Sequence, residues 1–146
     1  MALVRKIVFT PDAPTPVGPY SQAVIADQTL YISGIIGLDP KSGSLVEGGT
    51  VEQFRQCMRH LEEILYSCES AFENVSKTTI FLTDMEEFSQ INDVYKEYFC
   101  RDFPARSTIQ VVQLPLNANV EIEAIALIGC VKTIPAPPPP PKCSSR

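Results

Sequence analysis

Val120-Glu-Ile-Glu-Ala-Ile-Ala-Leu-Ile128 alternates almost from end to end. Successive strand side chains point to opposite faces, so Val120, Ile122, Ala124, Ala126 and Ile128 share one face. Glu121, Glu123, Ile125 and Leu127 share the other, half charged and half apolar. The first face suits a core, and the second suits a pocket or a subunit interface. A strand of this kind belongs in a sheet that carries helices on one side only.

The neighbouring segments agree. Residues 107–114 read as a strand, joined to 120–128 by a turn with Pro115, Asn117 and Asn119. Upstream, Val51, Phe54, Met58, Leu61 and Leu65 recur at helical spacing, as do Phe88, Ile91, Val94, Tyr95 and Phe99. Thr50, with Gln53 three residues on, predicts a capping box for the first helix, and Asp84 predicts a cap for the second. His60 falls off the apolar stripe and is expected in solvent.

Residues 4–9, 22–25, 30–34 and 78–82 are rich in β-formers, with Ala26-Asp27-Gln28 as a hairpin connection. The order β-β-β-α-β-α-β-β predicts an α+β sheet with both helices packed on one face, not a doubly wound fold. The opposite face must then be polar or be covered by another subunit.

Composition narrows the function. The 146 residues make one domain of ordinary size. The net charge of −5 and pI near 4.8 argue against a nucleic-acid partner. No apolar run approaches the roughly 20 residues of a membrane span. The opening Met-Ala-Leu-Val-Arg-Lys lacks a secretory pattern, so the expected location is cytoplasmic. Five cysteines (Cys57, Cys68, Cys100, Cys130, Cys143) form no C-x-x-C pair and read as buried free thiols in a reducing compartment. With one histidine, no metal site is expected.

Composition changes abruptly near residue 135. Residues 1–134 are expected to form the domain, and 135–146 a disordered proline-rich tail in polyproline II conformation. Within the tail, Pro137, Pro140 and Lys142 match a P-x-x-P-x-K ligand for aromatic-grooved adaptor domains.

The chemically loaded residues are few. No P-loop, G-x-G-x-x-G, H-E-x-x-H or G-x-S-x-G occurs, so nucleotide-dependent, zinc-dependent and triad chemistry lack support. Arg106 opens a strand after Pro104-Ala105, and its fork suits either a substrate carboxylate or a structural salt bridge to Glu123. Glu121 and Glu123 point the same way and repel, which suits a proton-handling group or two solvent-facing acids. Tyr20 sits at a turn-to-strand junction where its hydroxyl reaches either a cleft or a core partner. Ser33-Gly34 lies inside a strand, where glycine often marks close approach. Asn92 falls among apolar helix positions and needs partners for its amide.

Five motifs taken together resemble the YjgF/Rid family of reactive-intermediate deaminases. They are G-P-Y-S-Q-A (18–23), Y-I-S-G (31–34), I-N-D-V-Y-K-E-Y-F (91–99), F-P-A-R-S (103–107) and V-E-I-E-A-I-A (120–126). The likeness runs from about residue 4 to 134.

The resemblance implies a chorismate-mutase-like α+β fold, a homotrimer with sites between subunits, and no cofactor. It also implies hydrolysis of 2-imino acids, such as 2-iminobutanoate and 2-iminopropanoate, to 2-oxo acids and ammonia. Members have also been described as RNA-cleaving inhibitors of translation, and a third reading is a non-catalytic trimer that binds small carboxylates or scaffolds partners through its proline arms. Carried over by motif, Arg106 holds the substrate carboxylate and Glu121 handles the attacking water. Tyr20, Ser33, Asn92 and Thr108 line the pocket, with Tyr20 expected from across the interface. Two positions depart from the pattern: Thr108, where many members have cysteine, and Ile35, where glutamine often follows S-G.

Overall fold

A computed structural model describes residues 1–142. Six strands form one sheet: β1 Arg5–Val8, β2 Ala23–Ala26, β3 Thr29–Ile35, β4 Val75–Leu82, β5 Ala105–Gln110 and β6 Val120–Leu127. Helix α1 spans Thr50–Ser67 and α2 spans Phe88–Tyr98. The expected order of elements holds. In space the strands run β1-β2-β3-β6-β4-β5. Every pairing is antiparallel except β4 with β5, which α2 joins as a crossover.

β6 is therefore central, and its buried residues are the ones its alternation marks. Val120, Ile122, Ala124 and Ala126 are buried, while Glu121, Glu123, Ile125 and Leu127 are not. Facing them from α1 are Phe54, Met58, Leu61 and Leu65, all buried, with Ile91 and Val94 from α2. Each such side chain contributes about 1.5–3 kcal/mol when fully removed from water. Arg55 reaches across to a carboxylate of Glu97 and ties α1 to α2 at the surface. On the sheet's other face Ile7, Tyr31, Ile109 and Leu127 stay exposed.

Three local expectations fail. Thr50 is the first helical residue of α1, the cap position is Gly49 at φ 87°, and no side chain caps it. A left-handed Gly48-Gly49 pair delivers the chain to the helix, so backbone shape does the work assigned to Thr50. Gln53 is freed for a tertiary role, its Oε1 accepting from the Asn119 backbone N–H at 2.8 Å.

His60 is buried, not solvated. Its Nε2 lies 2.7 Å from the Leu38 carbonyl, beside Gln56, which donates to the same carbonyl. The loop after β3 folds back over α1 and covers what the helical wheel leaves open. Burial lowers the imidazole pKa.

Of the cysteines, Cys57 and Cys68 are buried but Cys100 and Cys130 are exposed; Cys143 lies outside the described residues. The two exposed thiols follow the ends of α2 and β6, where the apolar periodicity has already stopped.

Asp84 does act as a cap, accepting from the Glu86 N–H on a short turn that leads into α2. Helix α1 ends in a Schellman arrangement: Glu69 takes φ 55°, and Ser70 N–H returns to the Leu65 carbonyl at 2.9 Å. Beyond Leu127, residues 128–142 contain no helix or strand. No helix among the described residues is long and apolar enough to cross a membrane.

Candidate active site

The six residues singled out from the sequence fall into two groups of three. Register decides this. In β5, Arg106 lies opposite Thr78 and Thr108 opposite Ile80. Thr78 and Ile80 are fully buried, and Thr78 shares a hydrogen bond of 2.8 Å with the Tyr95 hydroxyl of α2. Arg106 and Thr108 therefore project toward the helices. In β6, Glu121 lies opposite Phe81 and Glu123 opposite Thr79. These alternate with the buried positions of β4, so both glutamates project from the bare face.

The first group is built around Arg106. Its Nη2 donates to Asn92 Oδ1 at 2.7 Å, which gives the helix amide its partner. The guanidinium carbon stands 4.7 Å from the Tyr95 ring centroid and 5.5 Å from that of Phe88. Such stacking contributes about 0.5–1 kcal/mol at exposed sites. It also fixes the plane of the fork. Among the described residues Arg106 has no carboxylate partner, which removes the salt bridge to Glu123. Thr108 supplies a buried hydroxyl oxygen with no hydrogen-bond partner. Orphaned buried hydroxyls are uncommon and costly, so this one is suited to a group arriving from outside.

The second group surrounds a cavity of about 420 Å³. Tyr20, Ser33, Glu121 and Glu123 all line it, with Gly34 and the Pro115–Leu116 turn. A register shift between Ile32 and Ile35 marks a bulge in β3, and Ser33-Gly34 forms that bulge. The reason for glycine is concrete. A Cβ at Gly34 would stand 1.7 Å from Glu121 Oε1, so the side chain's absence is what houses the carboxylate. Burial, and secondarily the charge of Glu123, raise the Glu121 pKa. Ser33 Oγ donates to the Ser21 carbonyl at 2.6 Å. Half-exposed Tyr20 accepts weakly from the Val17 N–H at 3.4 Å, so its hydroxyl can still donate.

Gln22 is a residue the sequence reading passed over. It is buried, accepts from the Thr10 N–H at 2.7 Å, and donates to the Thr10 and Pro14 carbonyls at 3.0 Å each. One amide thus satisfies the backbone of the proline-rich loop and sets where Tyr20 emerges. The available signal was a glutamine entering an otherwise apolar strand. Tyr95 and Phe88 were read only as core residues, although their rings carry Arg106.

No group of three potential metal ligands occurs among the described residues. The chemistry offered is an oriented guanidinium, an unpartnered hydroxyl and a half-buried carboxylate with a raised pKa.

The sequence profile described as Endoribonuclease L-PSP matches residues 10–128. The chain belongs to that family. The YjgF/Rid resemblance and the family are one and the same, and solved structures of the family share the fold. A Rid-family protein from Yersinia pestis is 41% identical with a TM-score of 0.83, covering 86% of this chain and all of that one. Escherichia coli TdcF with bound serine is 34% identical with a TM-score of 0.80, covering 85% of this chain and 99% of that one.

Among L-PSP family relatives, a goat protein named 2-iminobutanoate/2-iminopropanoate deaminase is 52% identical over 132 residues, 90% of this chain and 96% of its own. A human protein of the same name is 47% identical over the same span and coverage.

Proposed function

We propose that this protein hydrolyses small 2-imino acids, including 2-iminobutanoate and 2-iminopropanoate, to 2-oxo acids and ammonia. We further propose that it does so as a homotrimer. The observation that carries this reading is the division of the six residues between two faces of one sheet. A small substrate spans a few ångströms and cannot touch both faces of one sheet. A site containing Arg106 and Glu121 therefore needs the β5–α2 surface of one copy set against the Glu121 cavity of the next. The exposed apolar residues of the bare face give the copies a reason to associate. TdcF was solved with bound serine, a 2-amino acid whose carboxylate and C2 nitrogen are connected as in a 2-imino acid.

The mechanism follows from the groups. The Arg106 fork holds the carboxylate, with Asn92 and the two rings keeping its plane fixed. Thr108 offers its hydroxyl to the same end of the substrate. Glu121 takes a proton from water as the oxygen adds to the imine carbon, and passes that proton to the imine nitrogen. The second proton moves from the new hydroxyl to nitrogen, the C–N bond breaks, and ammonia leaves with the 2-oxo acid. Tyr20 and Ser33 border the same cavity and orient water or the nitrogen. The raised pKa of Glu121 makes it a stronger proton acceptor than an ordinary carboxylate. No step requires a cofactor.

The test couples the protein to a threonine dehydratase that releases the imine in situ. Wild-type protein accelerates ammonia release over the spontaneous rate, and Arg106→Ala does not. Ligand protection without faster ammonia release would mark a non-catalytic carboxylate binder instead.

A second reading, RNA cleavage, draws on the endoribonuclease description of the family profile. The net charge of −5 opposes a polyanion in the deaminase-sized cleft. Salt-sensitive RNA cleavage that survives repurification and is lost in Arg106→Ala would favour it. We place the protein in the cytoplasm, where free thiols persist. The proline-rich tail stands apart from this chemistry and suits an adaptor domain.

A further inference from the structure

We propose that residues 136–142 form a preorganised ligand for an SH3-type domain, one with an aromatic-lined groove ending in an acidic pocket. The imine chemistry uses no residue of this segment, so the inference stands or falls independently of the deaminase reading.

Proline fixes its own φ near −65° and drives the preceding residue out of the α region. Ile134, Ala136, Pro137, Pro138, Pro139 and Pro140 each precede a proline. The segment is therefore strongly biased toward polyproline II before any partner is met. Residues 133–142 are exposed and contain no helix or strand. Much of the ordering entropy that normally weakens recognition of an extended peptide is already lost in the free chain.

Polyproline II has three residues per turn, so residues three apart share an edge. Ala136, Pro139 and Lys142 lie on one edge, and Pro137 and Pro140 on the next. Ala136-Pro137 and Pro139-Pro140 thus present two like ridges to two aromatic slots. Lys142 extends the edge of Ala136 and Pro139 past the second ridge, where an acidic pocket can receive it.

Charge distribution supports a partner with an acidic pocket. All seventeen acidic residues and ten of the twelve basic ones precede residue 135, giving that part −7 and leaving Lys142 and Arg146 in the tail. Among the described residues the last hydrogen bonds to the domain are at Gly129, whose N–H bonds the Glu69 carbonyl and whose carbonyl accepts from Asn74. The seven residues from Cys130 to Ala136 reach up to about 25 Å, well beyond the roughly 8 Å screening length at physiological salt. A domain bound at Lys142 is clear of the acidic body.

The experiment titrates the full chain against purified SH3 domains whose groove ends in acidic residues, followed by fluorescence anisotropy. We expect saturable binding at or below about 100 µM. Pro137→Ala/Pro140→Ala is expected to weaken it at least tenfold, and Lys142→Glu likewise, with ammonia release unchanged in both variants. Arg106→Ala is expected to bind as wild type does. No saturation with any of the domains up to about 1 mM overturns the proposal. So does binding that survives the double proline substitution. Binding indifferent to Lys142→Glu also overturns it, since it points to a groove that reads proline alone.

Discussion

Arg106 and Glu121 stand on opposite faces of one sheet, with the whole of β4 between their strands. Each is elaborately prepared where it stands. Arg106 is oriented by Asn92, Tyr95 and Phe88 on the helix side. Glu121 is housed by the missing side chain of Gly34 on the bare side. On the proposed reading, two groups that serve one reaction but are separated within a chain are each half of a site.

On the proposed reading, the Arg106 fork carries the binding of the substrate carboxylate. Arg106→Ala should reduce kcat/KM for imine hydrolysis by about 2–5 kcal/mol, or roughly thirtyfold to several thousandfold. Arg106→Lys should recover only a minor part, because an ammonium cannot bind both carboxylate oxygens in one plane. Steady-state kinetics with imine generated in situ reads both values. Full rescue by lysine would show that charge alone matters, not the fork.

Gly34 sets the position of Glu121. Gly34→Ala places a methyl where Glu121 Oε1 now lies, at 1.7 Å, so the carboxylate must move. The expected result is a kcat at least tenfold lower, with KM changed much less because Arg106 is untouched. A cost of 1–3 kcal/mol in stability should accompany it. An unchanged kcat in a well-folded variant would remove Glu121 from the chemistry.

The pH profile should report Glu121 and respond to Glu123. Burial first, and Glu123 second, raise the Glu121 pKa. Removing the second charge in Glu123→Gln lets Glu121 ionise at lower pH, so the acid limb of kcat/KM moves to lower pH. The same shift has a sign for stability. A carboxyl that holds its proton more tightly when folded favours the fold most below its unfolded pKa of about 4.3, and that contribution is lost as pH rises through the folded value. Glu121→Gln should therefore raise stability at pH 7 while abolishing activity. Urea melts at pH 7 check this.

His60 has the opposite sign. Burial lowers its pKa, so the folded state resists its protonation. The contribution is present above the unfolded value of about 6.5 and is lost as pH falls through the lower folded value. Wild-type protein should lose stability between pH 7 and 5 by more than His60→Gln does. The glutamine removes the titration while keeping a donor near the Leu38 carbonyl. Parallel urea melts that show equal losses would contradict the assignment.

Much of the fold was legible because it rests on periodicity. The alternation of β6 identified the buried Val120-Ile122-Ala124-Ala126 face and the half-charged opposite face, and the helical stripes identified Phe54, Leu61, Ile91 and Val94. What escaped depends on contacts between distant segments. His60 looks exposed on its helix because the loop at Leu38 that covers it lies 22 residues away. Gln22 looks like an ordinary strand residue until the loop at Thr10 and Pro14 closes on it. The residue types of the candidate site are visible in the sequence, but their division between two faces is not. That division needed the strand order, which places β4 between β5 and β6 although both follow it in the chain.

The central claim is that Arg106 of one copy works with Glu121 of another, and mixing tests it most directly. Arg106→Ala and Glu121→Gln chains are each expected to be nearly inactive alone. Co-expressed, an Arg106→Ala chain still supplies Glu121 and a Glu121→Gln chain still supplies Arg106. Random assembly from equal amounts should leave about a quarter of the shared sites intact, restoring about a quarter of wild-type ammonia release. Activity that stays at the level of the separate variants would contradict the account.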